Sequence, residues 1–368
     1  MGQIDYRDAG WLKMNAIVPA PTYTPCDDLW VITTYFNPAG YRAIHANYQR
    51  FAAPLRAAGI PLVTVECAFG DAPFRFEPGP QVIQVRGRDV MWLKERLINV
   101  AVRQLPPHVR KIAWIDADIL FCNADWAVET ARILDTLPLA QPCAAVHRLD
   151  KDADAYRGRG YYRHSFACQF QRRPESPYLW GSAHGFPGFA WAAQRELIER
   201  HGLYDAEIVG GGDELLAHAA GGGLASRCVK GLTGMRLASW PRLADKVLNR
   251  LLRIPWPRRL ASWFVRRSQP AVAAADERFY AHYLRWAQPF AAAVDGRIGC
   301  APGLALHLWH GDPANRGYGS RTAIMRRGEF DPAVDLRLNA EGVWEWASDK
   351  PALHREVRSY FDGRREDG

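Results

Sequence analysis

No apolar run in this 368-residue chain approaches the ~20 residues that a membrane-spanning helix needs. The amino terminus carries Asp5, Arg7 and Asp8, with no apolar stretch behind a basic start, and so does not read as a secretory signal. Cysteine is sparse: seven residues, an odd number, scattered and never spaced as CxxC. That pattern fits small buried hydrophobes in a reducing compartment, and a cytoplasmic location is the expectation. There is no internal repeat and no low-complexity tract. Nor is there a general excess of one charge. Of the net +8, nearly all lies between Arg242 and Arg267, where eight basic residues meet one acid, Asp245. The remainder is close to neutral, which excludes a broad affinity for nucleic acid.

What is present is a hydrophobic share of 48% in a chain long enough for a large core. Residues 1–27, with Pro19, Pro21 and Pro25, read as an irregular arm. The run Leu29–Tyr35 is rich in β-branched and aromatic residues and predicts a strand. Asn37-Pro38 has the form of a helix start, and Tyr41, Ile44, Tyr48, Phe51 and Leu55 follow at helical spacing. Strands are predicted over 60–67, 81–85 and 112–115, with helices over 91–105, 126–137 and 189–201. Short apolar strands alternating with helices predict an α/β fold, a mostly parallel sheet covered on both faces. Residues 231–300 read as an inserted helical subdomain holding the basic segment. A return segment spans 301–330, and a polar tail spans 331–368.

Three clusters carry chemistry. In Lys111-Ile-Ala-Trp-Ile-Asp-Ala-Asp-Ile-Leu-Phe121 an apolar strand delivers Asp116 and Asp118 to its carboxyl end, where open α/β sheets place ligands. Residues two apart in extended chain share a side, so both carboxylates are expected on one Mg²⁺ or Mn²⁺ ion with a diphosphate. Asp-x-Asp occurs three times among 24 aspartates, but only here behind a buried strand. The second cluster is Gly210-Gly-Gly-Asp-Glu214. Its glycines, Gly211 and Gly212 included, let backbone approach an acceptor. Asp213 or Glu214 is a candidate general base, with an N-capping Asp in a tight turn as the alternative. The third is Leu306-His-Leu-Trp-His-Gly311, in which one imidazole is a candidate metal ligand. Arg316 and Arg321 follow, with guanidinium forks suited to phosphate. Trp180, before a glycine-containing run, is a candidate stacking face for an acceptor sugar.

These motifs, with the helix run Trp92-Leu-Lys-Glu-Arg-Leu-Ile-Asn99, come in the order found in GT-A glycosyltransferases. Over residues 28–230 and 301–325 the chain resembles a bacterial or phage member of family-2-like or galactosyltransferase-like character. The resemblance implies a GT-A, Rossmann-like core over 28–230 and a nucleotide-sugar donor, UDP-sugar favoured. It implies Asp116 and Asp118 as the metal DxD, and His310 as the carboxyl-terminal metal ligand with His307 as the alternative. It places Thr33, Tyr35 and Asn37 where the first strand meets the nucleotide, and Lys94 and Asn99 on the donor side. Asp213 or Glu214 falls where inverting members carry their base, after a different lead from the usual motif.

Other classes share parts of this pattern. Haloacid-dehalogenase-type phosphatases also end a strand in Asp-x-Asp, but on the first strand, whereas here it falls on about the fourth. A nucleotidyltransferase would carry a glycine-rich, Arg- or Lys-bearing loop after the first strand, and none follows here. A degenerate carbohydrate-binding protein is the non-enzyme alternative. The acceptor class stays open between glycan, lipid-linked and small-molecule hydroxyls. Trp256, Trp263 and Phe264 among the bases of 242–267 allow peripheral contact with an anionic membrane face, against which stands a solvated basic helical surface.

Overall fold

A computed structural model describes residues 16–158, 162–178, 184–234, 277–318 and 320–368. Strand β1 (Leu29–Tyr35) leads into α1 (Arg42–Ala57), β2 (Leu62–Phe69), β3 (Val82–Gly87), α2 (Lys94–Gln104) and β4 (Lys111–Ile115). Next come β5 (Ile119–Phe121), α3 (Trp126–Ile133), β6 (Leu139–Gln141), β7 (Ala145–Arg148), β8 (Tyr162–His164) and α4 (Phe166–Arg172). Then β9 (Ala190–Gln194), α5 (Arg195–His201), α6 (Gly212–Ala220), α7 (Arg227–Leu232) and α8 (Glu277–Val294) precede β10 (Ile298–Cys300) and β11 (Leu304–His307). The chain closes with α9 (Thr322–Arg327), α10 (Pro332–Asp335), β12 (Leu336–Leu338), β13 (Trp344–Trp346) and α11 (Pro351–Asp362).

The main sheet runs β10-β6-β9-β4-β1-β2-β3. All neighbours pair in parallel except β9, which is antiparallel to both β4 and β6. This is the mostly parallel, helix-covered α/β sheet expected of a GT-A-like chain. Both faces are buried, and alternation in β1 shows how. Val31 and Tyr35 pack on α1 and α3 through Phe51, Leu55 and Trp126, while Ile32 faces Leu97 and Ile98 of α2. A second sheet, β5-β11-β7-β8, crosses the carboxyl end of the first. Its β11 brings the carboxyl-terminal histidines beside β5, directly after the Asp-x-Asp turn.

Four expectations are corrected. Asn37-Pro38 does not start a helix: Gly40 takes φ +72°, and Asn37 instead closes a turn, accepting from Tyr41 N at 2.9 Å and donating to Tyr41 O at 2.7 Å. The helix begins at Arg42. Residues 189–201 are not one helix, because Ala190–Gln194 fills the gap between β4 and β6 as β9. Alanine's helix propensity yields there to pairing on two sides, where small side chains fit a buried sheet. Residues 277–300 are not a separate subdomain in their described part. Tyr283, Phe290 and Val294 of α8 belong to the central core, and Tyr283 Oη donates to Leu215 O at 3.0 Å. The segment 331–368 is no loose tail, since Leu353, Val357 and Phe361 of α11 pack into that core. The basic stretch 242–267, with its membrane reading, lies outside the described residues. No helix among the described residues is long and apolar enough to cross a membrane.

Candidate active site

At the carboxyl end of the parallel strands lies a cavity of about 600 Å³, where the topology of an open α/β sheet places it. Helix α2 forms one wall and carries an unusual run of buried polar groups, Lys94, Glu95, Arg96 and Asn99. Each has a reason to be there. Asn99 holds the loop to α6, donating to Leu203 O at 2.9 Å and accepting from Leu203 N at 2.8 Å. Arg96 pairs with Asp205 at 3.1 Å. Lys94 Nζ reaches Asp116 Oδ1 at 2.9 Å and Asp213 Oδ2 at 2.5 Å, joining β4 to α6 across the cavity floor. Burial disfavours its charge, but Asp116, Asp213 and Glu95 outweigh that and raise its pKa. Burial pushes the Asp116 carboxyl up to about 6 despite Lys94, and Glu95 up to about 8.

The start of α6 depends on its glycines. Gly210 and Gly211 have φ of +82° and +133°. A Cβ on Gly212 would sit 2.4 Å from the Glu95 carboxyl carbon, and one on Gly211 2.9 Å from Leu232 Cδ2. The glycines therefore let α6 lie against α2 and present Asp213 to Lys94. Gly211 lines the cavity, whereas Gly212 faces Glu95.

Asp116 and Asp118 do not continue an extended strand. Residues 117–118 form a turn before β5, so the expected shared side is lost and the two carboxylates go to different partners. Asp118 Oδ2 lies 2.9 Å from His310 Nε2 and 3.6 Å from His307 Nε2. The two imidazole nitrogens stand 3.1 Å apart. Asp118 Oδ1 is buried without a hydrogen-bond partner. Burial raises the Asp118 carboxyl, yet His307 and His310 overcome it and hold it well below the usual range. His307 is driven well below its ordinary value by burial. For His310 burial works the same way, but Asp118 and Glu366 prevail and raise it. A carboxylate oxygen with no donor and two convergent imidazoles are what a divalent cation needs, and Asp118, His307 and His310 form one such group. The outer partner of His310 comes from the last residues of the chain: Glu366 Oε2 lies 3.1 Å from Nδ1 and is itself held by Arg364.

The rest of the cavity is cationic and aromatic. Arg316 donates to His310 O at 2.9 Å, Arg321 stands over the Tyr318 ring, and Asn37 joins the lining. Arg148 donates to Tyr318 Oη at 3.2 Å. Burial raises the Tyr318 phenol, but Arg316 and Arg148 win and lower it. Phe36, Trp92 and Phe361 form an apolar wall, edge to face at 5.3 Å between Phe36 and Trp92. Thr33 and Tyr35 stand outside the cavity. Thr33 Oγ1 donates to Ile115 O at 2.8 Å, and Tyr35 packs on Tyr48 and Phe76. Asn99 is likewise in the scaffold, Glu214 lines the cavity beside His184 at 3.7 Å, and Trp180 lies outside the described residues. Sequence reasoning missed Arg148, His184, Arg364 and Glu366. Arg148 had one legible cue, a basic residue closing an apolar strand; Glu366 had none, 56 residues from His310 in a charged terminal run.

No protein-family model and no characterised protein sequence matches the chain. Among solved structures it is similar to the catalytic domain of Drosophila β1,4-galactosyltransferase 7 bound to xylobiose, with 13% identity and a TM-score of 0.27. That match covers 52% of this chain and 60% of the other, so the chain spans about six-tenths of that domain. Glucosyl-3-phosphoglycerate synthase from Mycobacterium tuberculosis, with Mg²⁺ and uridine diphosphate, is similar at 12% identity and TM-score 0.31 over 88% and 90% of the two chains. A 4-diphosphocytidyl-2C-methyl-D-erythritol synthase from Anaerococcus prevotii is similar at 8% identity and TM-score 0.27, over 75% and 87%. Similarity at this level leaves function to this chain's own residues.

Proposed function

We propose that the chain is a divalent-metal-dependent glycosyltransferase that moves a sugar from a nucleotide-sugar donor, UDP-sugar favoured, to an acceptor hydroxyl. The observation that carries this is that two groups line one cavity: Asp118 with His307 and His310, and Asp213 held by Lys94. Two imidazoles and one carboxylate favour Mn²⁺ over Mg²⁺, which prefers an all-oxygen shell. When bound, the ion supplies charge neutralisation for a leaving diphosphate. Arg316 and Arg321, with Arg148, hold phosphate oxygens, and the Phe36–Trp92 wall takes the base by stacking. Asp213 takes the acceptor proton as the new bond forms, with Lys94 fixing the orientation of its carboxylate. One such base opposite the leaving group gives an inverting outcome. Asp116 shares Lys94 and borders the donor side.

The test is a thermal-shift screen of UDP-, GDP-, CMP- and dTDP-sugars, each with and without Mn²⁺. Stabilisation by one nucleotide only when metal is present is the expected result, since ligand bound to the native state raises the melting temperature. No shift with any donor, together with cleavage of simple phosphate esters, would replace this reading with the phosphatase.

A further inference from the structure

A second cluster of side chains able to bind a metal adjoins the cavity along α6: His184 and Glu214 line the cavity, while His218 and Cys228 lie behind it. Glu214 and His218 are one helical turn apart on α6 and project together. Cys228 comes from the first turn of α7, and His184 from the segment leading into β9. One ligand atom from each of the four lies within 4.8 Å of every other, and His184 Nε2 is 3.7 Å from Glu214 Oε1. His218 is fully buried, and His184 and Cys228 nearly so. Two further observations point to a ligand. His218 Nε2 is buried with no hydrogen-bond partner, a condition that native interiors rarely leave unresolved. The other nitrogen of His218 is within 3.1 Å of Ser226 Oγ, the residue that caps α7. That contact fixes the ring and leaves Nε2 to face the cluster, as outer partners of metal histidines do.

We propose that His184, Glu214, His218 and Cys228 bind a structural Zn²⁺ ion. A thiolate and two imidazoles select zinc over the hard cations, and four protein ligands close a tetrahedral shell. Tetrahedral edges at ordinary zinc–ligand lengths are roughly 3.3–3.6 Å; the His184–Glu214 pair already stands near that length at 3.7 Å, and the other pairs lie within 4.8 Å. The thiolate and carboxylate together balance the ion's charge, leaving a neutral site in a buried place. The ion ties α6, α7 and the segment before β9, and with them the wall that carries Phe186 and Gly188. Where the site is read as a glycosyltransferase, it has a consequence: Glu214 is engaged by zinc, and Asp213 is left as the base of the acidic pair.

The experiment is metal analysis of the full chain, purified under reducing conditions and treated with EDTA to strip exchangeable ions. One zinc per chain is expected to remain, to fall to none in Cys228→Ser and His218→Gln, and to persist in Asp118→Ala. Absence of zinc after reconstitution with zinc salt overturns the proposal, as does full retention in both variants. Should the variants fail to fold, cobalt loading of the unmodified chain replaces them. Thiolate-to-cobalt charge-transfer absorption supports Cys228 ligation, and its absence refutes it. No substrate enters these measurements, so their failure leaves the donor screen standing, and the reverse.

Discussion

One histidine pair opens on this cavity and a second reaches from its wall into the core behind it, and they are built differently. His307 and His310 share a carboxylate, Asp118, whose second oxygen is left without a partner, and the group faces the cavity. His184 and His218 share Glu214 and add Cys228, which supplies a fourth protein ligand and a sulfur. Three ligands with an open side suit an exchangeable ion that meets substrate, whereas four close the shell. The outer partners differ as well. His310 is held by the charged Glu366–Arg364 pair, His218 by a neutral hydroxyl. A charged outer partner makes an imidazole a better donor toward the cation, while a neutral one chiefly fixes the ring.

The largest effect should come from the open group. Asp118→Ala is expected to lower Mn²⁺ affinity by more than about 100-fold, beyond the 10–100-fold typical of outer partners. Titration calorimetry with metal and UDP-sugar checks this, and unchanged donor binding would remove the metal assignment. Next comes the carboxylate held by Lys94. Asp213→Asn is expected to bind donor normally and turn over roughly 10²–10⁴-fold more slowly, the usual contribution of a general base; full turnover would move the base elsewhere. Glu366→Gln should weaken Mn²⁺ by about 10-fold with donor chemistry otherwise intact. An unaltered metal titration would make the terminal segment a purely structural contributor.

The smallest effect concerns stability and neither histidine pair directly. Glu95 of α2 packs on Gly212, and burial raises its carboxyl to about 8. A carboxyl raised above its ordinary value of 4.5 costs nothing while protonated in both folded and unfolded states. Its cost grows as pH rises from that value toward about 8 and is then constant. Glu95→Gln should therefore melt like the parent at pH 4 and higher than it at pH 9, by at least about 2 °C. Equal melting at both pH values would mean that Glu95 is stabilised as an anion by Lys94.

The parallel strands were legible because a strand buried on both faces is largely apolar: Leu29–Tyr35 is so but for Thr33 and Thr34, and the 112–115 run is so throughout. Ala190–Gln194 was not legible: alanine favours helix locally, and only the two-sided gap between β4 and β6 makes a strand the better choice. Asp116, Asp118, Asp213 and His310 could be picked out because each ends an apolar run or opens a glycine turn. Which residues pair with them could not. Lys94 lies 119 residues from Asp213, and Glu366 56 from His310.

By itself, the sequence determined the α/β alternation and the three motif clusters, since periodicity and turn chemistry act over a few neighbouring residues. Only the tertiary structure decided how carboxylates and imidazoles pair. The turn at 117–118 sends Asp116 to Lys94 and Asp118 to the histidines, and the packing of α6 on α7 gathers four ligands from three segments. Such pairings depend on distances between residues far apart in the chain, and those distances exist only once the sheet has closed its crossovers and the last helix has docked.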